Sequence, residues 1–260
     1  MKQATHSGFL FRQLLARELA AKYKSTTLGV FWYVAQPLLM LAVYTAVFSG
    51  IFKVRWPGVD NSATFALMLF AGLIIFNLFS EVLTTSPGLV TGQPNYVKKV
   101  VFPLEILSVV RVAAAVVTAL ISLIVLLAAQ WLVTGHVGAW FLTAPVVLVS
   151  LFPLLLAISW LVASFGVYLR DVGQLVGLVA SVFLFISPIF FPATAIPAEM
   201  RFLVEFNPLV APIEQLRAVT LRDVAPDVVG LFYHFAIWSV VAFLVLKVFR
   251  RLAKGFADVI

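Results

Sequence analysis

The chain has no cysteine, which removes disulfides, thiol nucleophiles and cysteine metal sites together. Charge is scarce as well: Asp, Glu, Lys and Arg make up 11% of the residues, less than half the share of a water-soluble domain. The dipeptide Gly-Lys never occurs, so the phosphate loop of P-loop ATPases is excluded and this chain cannot hydrolyse ATP by that route. Few ionisable groups interrupt the apolar runs, which argues against a proton-coupled antiporter and its intramembrane relay. His6, His136 and His234 lie far apart, without the paired spacing of metal ligands, and are read as satisfied or solvated histidines.

Hydrophobic residues fill the space: 63% of the 260, with a mean hydropathy of +1.09. At about 20 apolar residues per crossing, such a chain is a polytopic membrane protein rather than a soluble globule. The apolar runs predict spans at 31–52, 64–86, 107–134, 141–168, 172–192 and 228–249. The fold class is therefore an all-α membrane protein with six transmembrane helices in a single domain, 1–260. The first 30 residues interleave Lys2, Arg12, Arg17, Lys22 and Lys24 with apolar positions, leaving no signal-peptide core or cleavage site. They read as mature sequence forming an amphipathic interfacial helix over 1–30.

Six crossings put both termini on one side. Only Lys53, Arg55, Arg201, Arg217 and Arg222 fall on the opposite face, so the positive-inside bias makes the termini cytoplasmic. The net charge of +7 is this bias, and no nucleic-acid partner follows from it. Residues 87–106 become a cytoplasmic loop. Residues 193–227 hold two apolar segments too short to cross, 198–206 and 209–221, split by the helix-start pair Asn207 and Pro208. They read as a re-entrant helical hairpin between spans five and six; an amphipathic pair on the outer surface fits the periodicity equally well.

Glu81 and Arg111 fall at similar depth near the cytoplasmic ends of spans two and three. A structural ion pair is the favoured reading, a gate or phosphate contact the functional one. On span one Trp32, Gln36, Met40, Tyr44 and Phe48 recur every fourth position, a stripe broken by Pro37. Rings mixed with an amide suit a sugar-conducting wall, because pyranose faces pack on aromatic rings and hydroxyls need hydrogen-bond partners. Lipid-facing anchorage is the alternative for Trp32 and Phe48.

Three stretches carry a family resemblance: LARELAAKYKSTTLGVFWYVAQPL from Leu15, YVKKVVFPLEIL from Tyr96, and YLRDVGQLVGLV running through SPIFFPATAIP to FNPLVAPIEQLRAVTL. Together, in this order and spacing, they resemble the permease subunit of polysaccharide-exporting ABC transporters of the O-antigen and teichoic acid type. The resemblance implies a homodimer of permeases in the bacterial cytoplasmic membrane, working with two copies of a separate cytoplasmic P-loop ATPase on a lipid-linked polysaccharide. This chain then needs no cofactor, metal or catalytic residue; ATP and Mg belong to the partner. It implies a channel lined by Trp32, Gln36, Tyr44, Phe48, Phe185 and Ser187. Asn95, Tyr96, Lys98, Lys99, Phe102 and Pro103, in segment 87–106, would dock on the ATPase, and Asn207, Pro208, Glu214 and Arg217 would shape the exit. Arg17, Lys22, Lys24 and Arg170 are candidates for the pyrophosphate of the lipid-linked glycan, or for attraction to anionic membrane lipids. O-antigen is the first choice of cargo, with teichoic acid or capsular polysaccharide as alternatives. A membrane-embedded transferase acting on lipid-linked sugars is the rival from another class, and needs clustered carboxylates that the cytoplasmic face lacks: it offers only scattered Glu18, Glu105 and Asp171. A passive channel also fits the composition.

Overall fold

The computed structural model describes residues 2–23, 29–47, 62–98, 102–193 and 196–260. Among them every regular element is helical. The helices are α1 (Lys2–Tyr23), α2 (Trp32–Thr45), α3 (Ser62–Thr85), α4 (Gly88–Thr91), α5 (Pro94–Lys98), α6 (Glu105–Thr134), α7 (Ala144–Ser150), α8 (Phe152–Tyr168), α9 (Val172–Ile186), α10 (Arg201–Glu205), α11 (Val210–Leu221), α12 (Val228–Leu252) and α13 (Phe256–Val259). Four helical stretches are long and apolar enough to cross a bilayer: Ala63–Thr85, Glu105–Thr134, Ala139–Tyr168 and Val228–Val259.

Prolines and glycines set the boundaries. Gly135 adopts φ 69° and closes α6 in the left-handed conformation that glycine takes without strain. The stretch 139–168 bends at Leu151, between α7 and α8, because Pro153 has no N–H to continue the ladder. The 15 residues of α9 rise about 22 Å, short of the ~30 Å hydrocarbon core. This helix ends at Ile186, before the expected stop at Pro192. The residue ahead of a proline is pushed out of the α region, and Ser187, ahead of Pro188, is extended at ψ 146°. The 14-residue α2 covers the start of expected span one, whose last residues lie outside the described ones.

Helix α3 forms the centre, buried along nearly its whole length and packed by α2, α6, α8, α9 and α11. Helix α12 lies outermost, held by α8, with Phe232, Ile237, Val240 and Phe243 exposed as lipid-facing side chains are. A second apolar cluster joins α4, the start of α6, the far end of α8, the end of α12 and α13 through Leu89, Leu104, Trp160, Phe249 and Phe256. At this end Arg250 Nη2 pairs with Glu105 at 2.9 Å and the Tyr168 hydroxyl donates to the Leu252 carbonyl at 3.0 Å. At the other end the Trp140 N–H donates to Asp223 Oδ1 at 3.3 Å, tying the α6–α7 loop to the loop after α11.

Candidate functional site

A cavity of about 610 Å³ opens between α1, α2, α3 and α6. Its wall on α3 is a polar stripe: Asn77, Ser80, Glu81 and Thr84 recur at helical spacing on an otherwise buried apolar helix. Thr118 and Ser122 face it from α6, and Gln36, Met40 and Tyr44 from α2. Two ion pairs sit at the α1 side. Lys22 Nζ lies 2.7 Å from Glu81 Oε1 and 3.3 Å from Thr118 Oγ1, and Arg111 Nη1 lies 2.7 Å from Glu18 Oε1. The Tyr33 hydroxyl donates to the Leu19 carbonyl at 2.8 Å, fastening α2 to α1. Glu81 and Arg111 thus each meet a residue of α1 rather than one another.

Four hydroxyls of the lining spend their protons inward. Thr84 donates to the Ser80 carbonyl at 2.7 Å, Thr85 to Glu81 at 2.6 Å, Thr118 to Ala114 at 3.3 Å and Ser122 to Thr118 at 3.2 Å. Such back-bonding within a helix leaves the hydroxyl lone pairs turned outward as acceptors.

Of the expected channel residues, Gln36 and Tyr44 line this cavity. Trp32 is half-buried on α2 and outside the lining, and Phe48 lies outside the described residues. Phe185 is 70% exposed on α9, away from the cavity. Ser187 is fully buried and its hydroxyl accepts from Asn207 Nδ2 at 2.9 Å, so it serves the α9–α11 junction. Among the described residues, the candidate phosphate cations meet different partners. Arg17 donates to the Tyr96 hydroxyl at 3.1 Å, Lys22 is held by Glu81, Arg170 is exposed in the turn between α8 and α9, and Lys24 lies outside the described residues.

In the segment after α3, Asn95, Lys98 and Pro103 are exposed, while Tyr96 stacks on Phe102 with ring centroids 4.5 Å apart. Lys99 lies outside the described residues. The Arg17–Tyr96 contact connects this segment to α1, and through Glu18 and Lys22 to the cavity wall.

The Asn207–Pro208 pair forms a turn ahead of α11, Asn207 Oδ1 accepting the Leu209 N–H at 2.9 Å, and the helix starts two residues later than the cap signal suggests, with Leu209 at its N-cap. Helix α11 is buried against α3 and α7, whereas α10 is exposed. Arg217 is wholly buried. It donates to the carbonyls of Met68 (3.0 Å), Pro188 (2.6 Å) and Ile189 (2.8 Å) and pairs with Glu214 at 2.9 Å. It therefore satisfies two carbonyls of the turn that follows α9 and ties that turn to α3. Glu214 also pairs with Arg222 at 3.2 Å. His234 is one of the satisfied histidines the sequence suggests: its Nδ1 lies 3.2 Å from the Ser150 carbonyl and its Nε2 3.0 Å from the Pro208 carbonyl, which Pro212, lacking an N–H, cannot serve.

Comparison with known proteins follows the same lines. The profile of the ABC-2 type transporter family matches residues 9–221. An O-antigen export system permease protein RfbA of Klebsiella pneumoniae is 22% identical over 268 residues, covering 100% of this chain and 99% of the relative. The permease of the same name from Myxococcus xanthus is 24% identical, covering 96% and 94%. The polysialic acid transport protein KpsM of Escherichia coli is 26% identical, covering 91% of each.

Proposed function

The chain belongs to the ABC-2 type transporter family, and from that premise we propose that it is the membrane-channel subunit of an ATP-driven exporter of lipid-linked polysaccharide, with O-antigen as the first cargo. The end-to-end likeness to permeases named for O-antigen export carries this reading. The polar cavity walled by Gln36 and Tyr44 supports it, because a glycan needs hydrogen-bond partners and aromatic faces inside the bilayer. The protein works as a homodimer in the bacterial cytoplasmic membrane, both termini cytoplasmic, with ATP and Mg bound by a separate P-loop ATPase. The exposed apolar faces of α2 (Leu38, Leu39, Val43) and α9 (Leu178, Val182, Phe185) are available to the second copy.

In this mechanism closure of the ATPase pushes α5 and the segment to Pro103. Arg17 passes the movement from Tyr96 to α1, and Glu18 and Lys22 pull on Arg111 and Glu81 at the cavity mouth. Deleting the gene for this chain in its own bacterium is expected to abolish surface polysaccharide while lipid-linked glycan accumulates inside; unchanged surface polysaccharide refutes the reading. Tyr44→Ala and Gln36→Ala are expected to slow export per assembled complex about fivefold, the equivalent of about 1 kcal/mol of lost stacking or hydrogen bonding. Val240→Ala, on the exposed lipid-facing side of α12 and outside the cavity, is the control.

A further inference from the structure

We propose that the cavity accepts uncharged glycosyl units and disfavours glycans bearing carboxylates or phosphates. This rests on the export reading and names the cargo chemistry of the same site. Two independent observations carry it.

The first is charge balance. Among the described residues the charged groups of the lining are Glu18, Glu81, Lys22 and Arg111, and they close into two ion pairs of 2.7 Å. Each cation already faces a carboxylate, so an incoming anion meets as much repulsion as attraction. It must also shed its hydration in a membrane-embedded space, without a cation to compensate.

The second is hydrogen-bond polarity. Thr84, Thr85, Thr118 and Ser122 direct their protons to carbonyls of their own helices and offer the cavity lone pairs. At these four hydroxyls a carboxylate or phosphate, which only accepts, finds lone pair against lone pair. The paired cations aside, what can donate beside them is neutral: the amides of Gln36 and Asn77 and the hydroxyls of Ser80 and Tyr44. A sugar hydroxyl donates as well as accepts, and so fits a wall rich in acceptors. Tyr44 supplies an aromatic ring for the apolar side of a pyranose. Of the pyrophosphate candidates among the described residues, Arg17 and Arg170 lie outside this lining, and Lys22 within it is paired with Glu81.

The natural absence of cysteine supplies the test. Asn77→Cys places one thiol on the cavity wall of the purified, assembled complex, and its labelling by a maleimide is timed with and without a free oligosaccharide. The probes are maltotetraose, which is neutral, and tetragalacturonate, which is anionic and of the same length. Maltotetraose is expected to slow labelling about threefold, as for a ligand at about twice its Kd, while tetragalacturonate leaves the rate unchanged. A thiol at His136→Cys, in the exposed α6–α7 loop outside the cavity lining, is expected to react alike in all conditions. Adding Glu81→Gln removes the carboxylate beside Lys22, and Glu18→Gln removes the one beside Arg111; either change is expected to bring protection by the uronate. Equal protection by both sugars, stronger protection by the uronate, or a preference that neither Gln variant moves overturns the charge argument. No protection by either sugar overturns the cavity as a glycan site. The export reading is judged separately, by the gene deletion.

Discussion

A guanidinium carries N–H donors on three nitrogens and never gives up its charge, so an arginine sealed from water must bring its acceptors with it. Arg217 does so, with three backbone carbonyls and Glu214. Its partners explain Gly72: a Cβ there would stand 2.8 Å from Nη2 of Arg217, inside any ordinary contact distance. Arg217→Leu takes the side-chain donors from the Pro188 and Ile189 carbonyls and the partner from Glu214, and is expected to cost about 3 kcal/mol or more. Arg217→Lys, keeping the charge but losing the fork, recovers only part. Gly72→Ala is expected to cost about 1–3 kcal/mol through overpacking. Thermal unfolding of the purified protein checks all three, and wild-type melting temperatures for Arg217→Leu and Gly72→Ala refute the assignment. The sequence makes Asn207 legible because its signal is local, an Asn-Pro pair ahead of an apolar run. Arg217 reads only as a cation on the exit side, since its carbonyl partners at 68, 188 and 189 are remote in sequence.

Helix α1 shows the same contrast between local pattern and distant pairing. Its amphipathic character is visible in the run of basic residues, but the sequence cannot say that Glu18 and Lys22, one turn apart, face Arg111 and Glu81 on two different helices. Glu81 and Arg111 sit near the same end of α3 and α6, and α1 is the element that pairs with both. Both pairs are partly exposed, with side chains at 22–30% accessibility, so each contributes modestly, about 0.5–1 kcal/mol. Glu81→Lys sets two cations against each other and is expected to loosen α1, raising hydrogen exchange over residues 8–22. The double change Lys22→Glu with Glu81→Lys restores the pair and is expected to recover most of the protection. Equal exchange in the single and double variants removes Lys22–Glu81 as the fastening. The early end of α9 belongs to this scale too. Hydropathy continues through SPIFFP, so a composition-based boundary overshoots, whereas the backbone obeys Pro188.

At the scale of the whole molecule the distribution of charge and the packing agree about which segments share an end. The contacts Arg17–Tyr96, Arg250–Glu105 and Tyr168–Leu252 gather α1, α5, the start of α6, the end of α8 and the chain's last helices. Asp223 and Trp140 gather the opposite end. The first end holds most of the Lys and Arg, which the positive-inside rule assigns to the cytoplasm. Hydropathy and cation placement made this much legible, because both reflect the bilayer as solvent and require no knowledge of tertiary contacts. The cavity was legible only in part. Gln36 and Tyr44 stand out as polar or amphipathic groups in an apolar run, whereas Thr118 and Ser122 are common helix residues whose back-bonding hides them from any composition signal. The end assignment yields a direct prediction: Lys98→Cys and His136→Cys, each the single thiol in the chain, lie at opposite ends of α6 and both are exposed. In intact cells an impermeant maleimide is expected to label position 136 and spare position 98, and in inverted membrane vesicles the pattern is expected to reverse. Labelling of position 98 from outside intact cells would overturn the orientation while leaving the helical packing as it stands, since the contacts define the two ends and only the cations say which of them faces the cytoplasm.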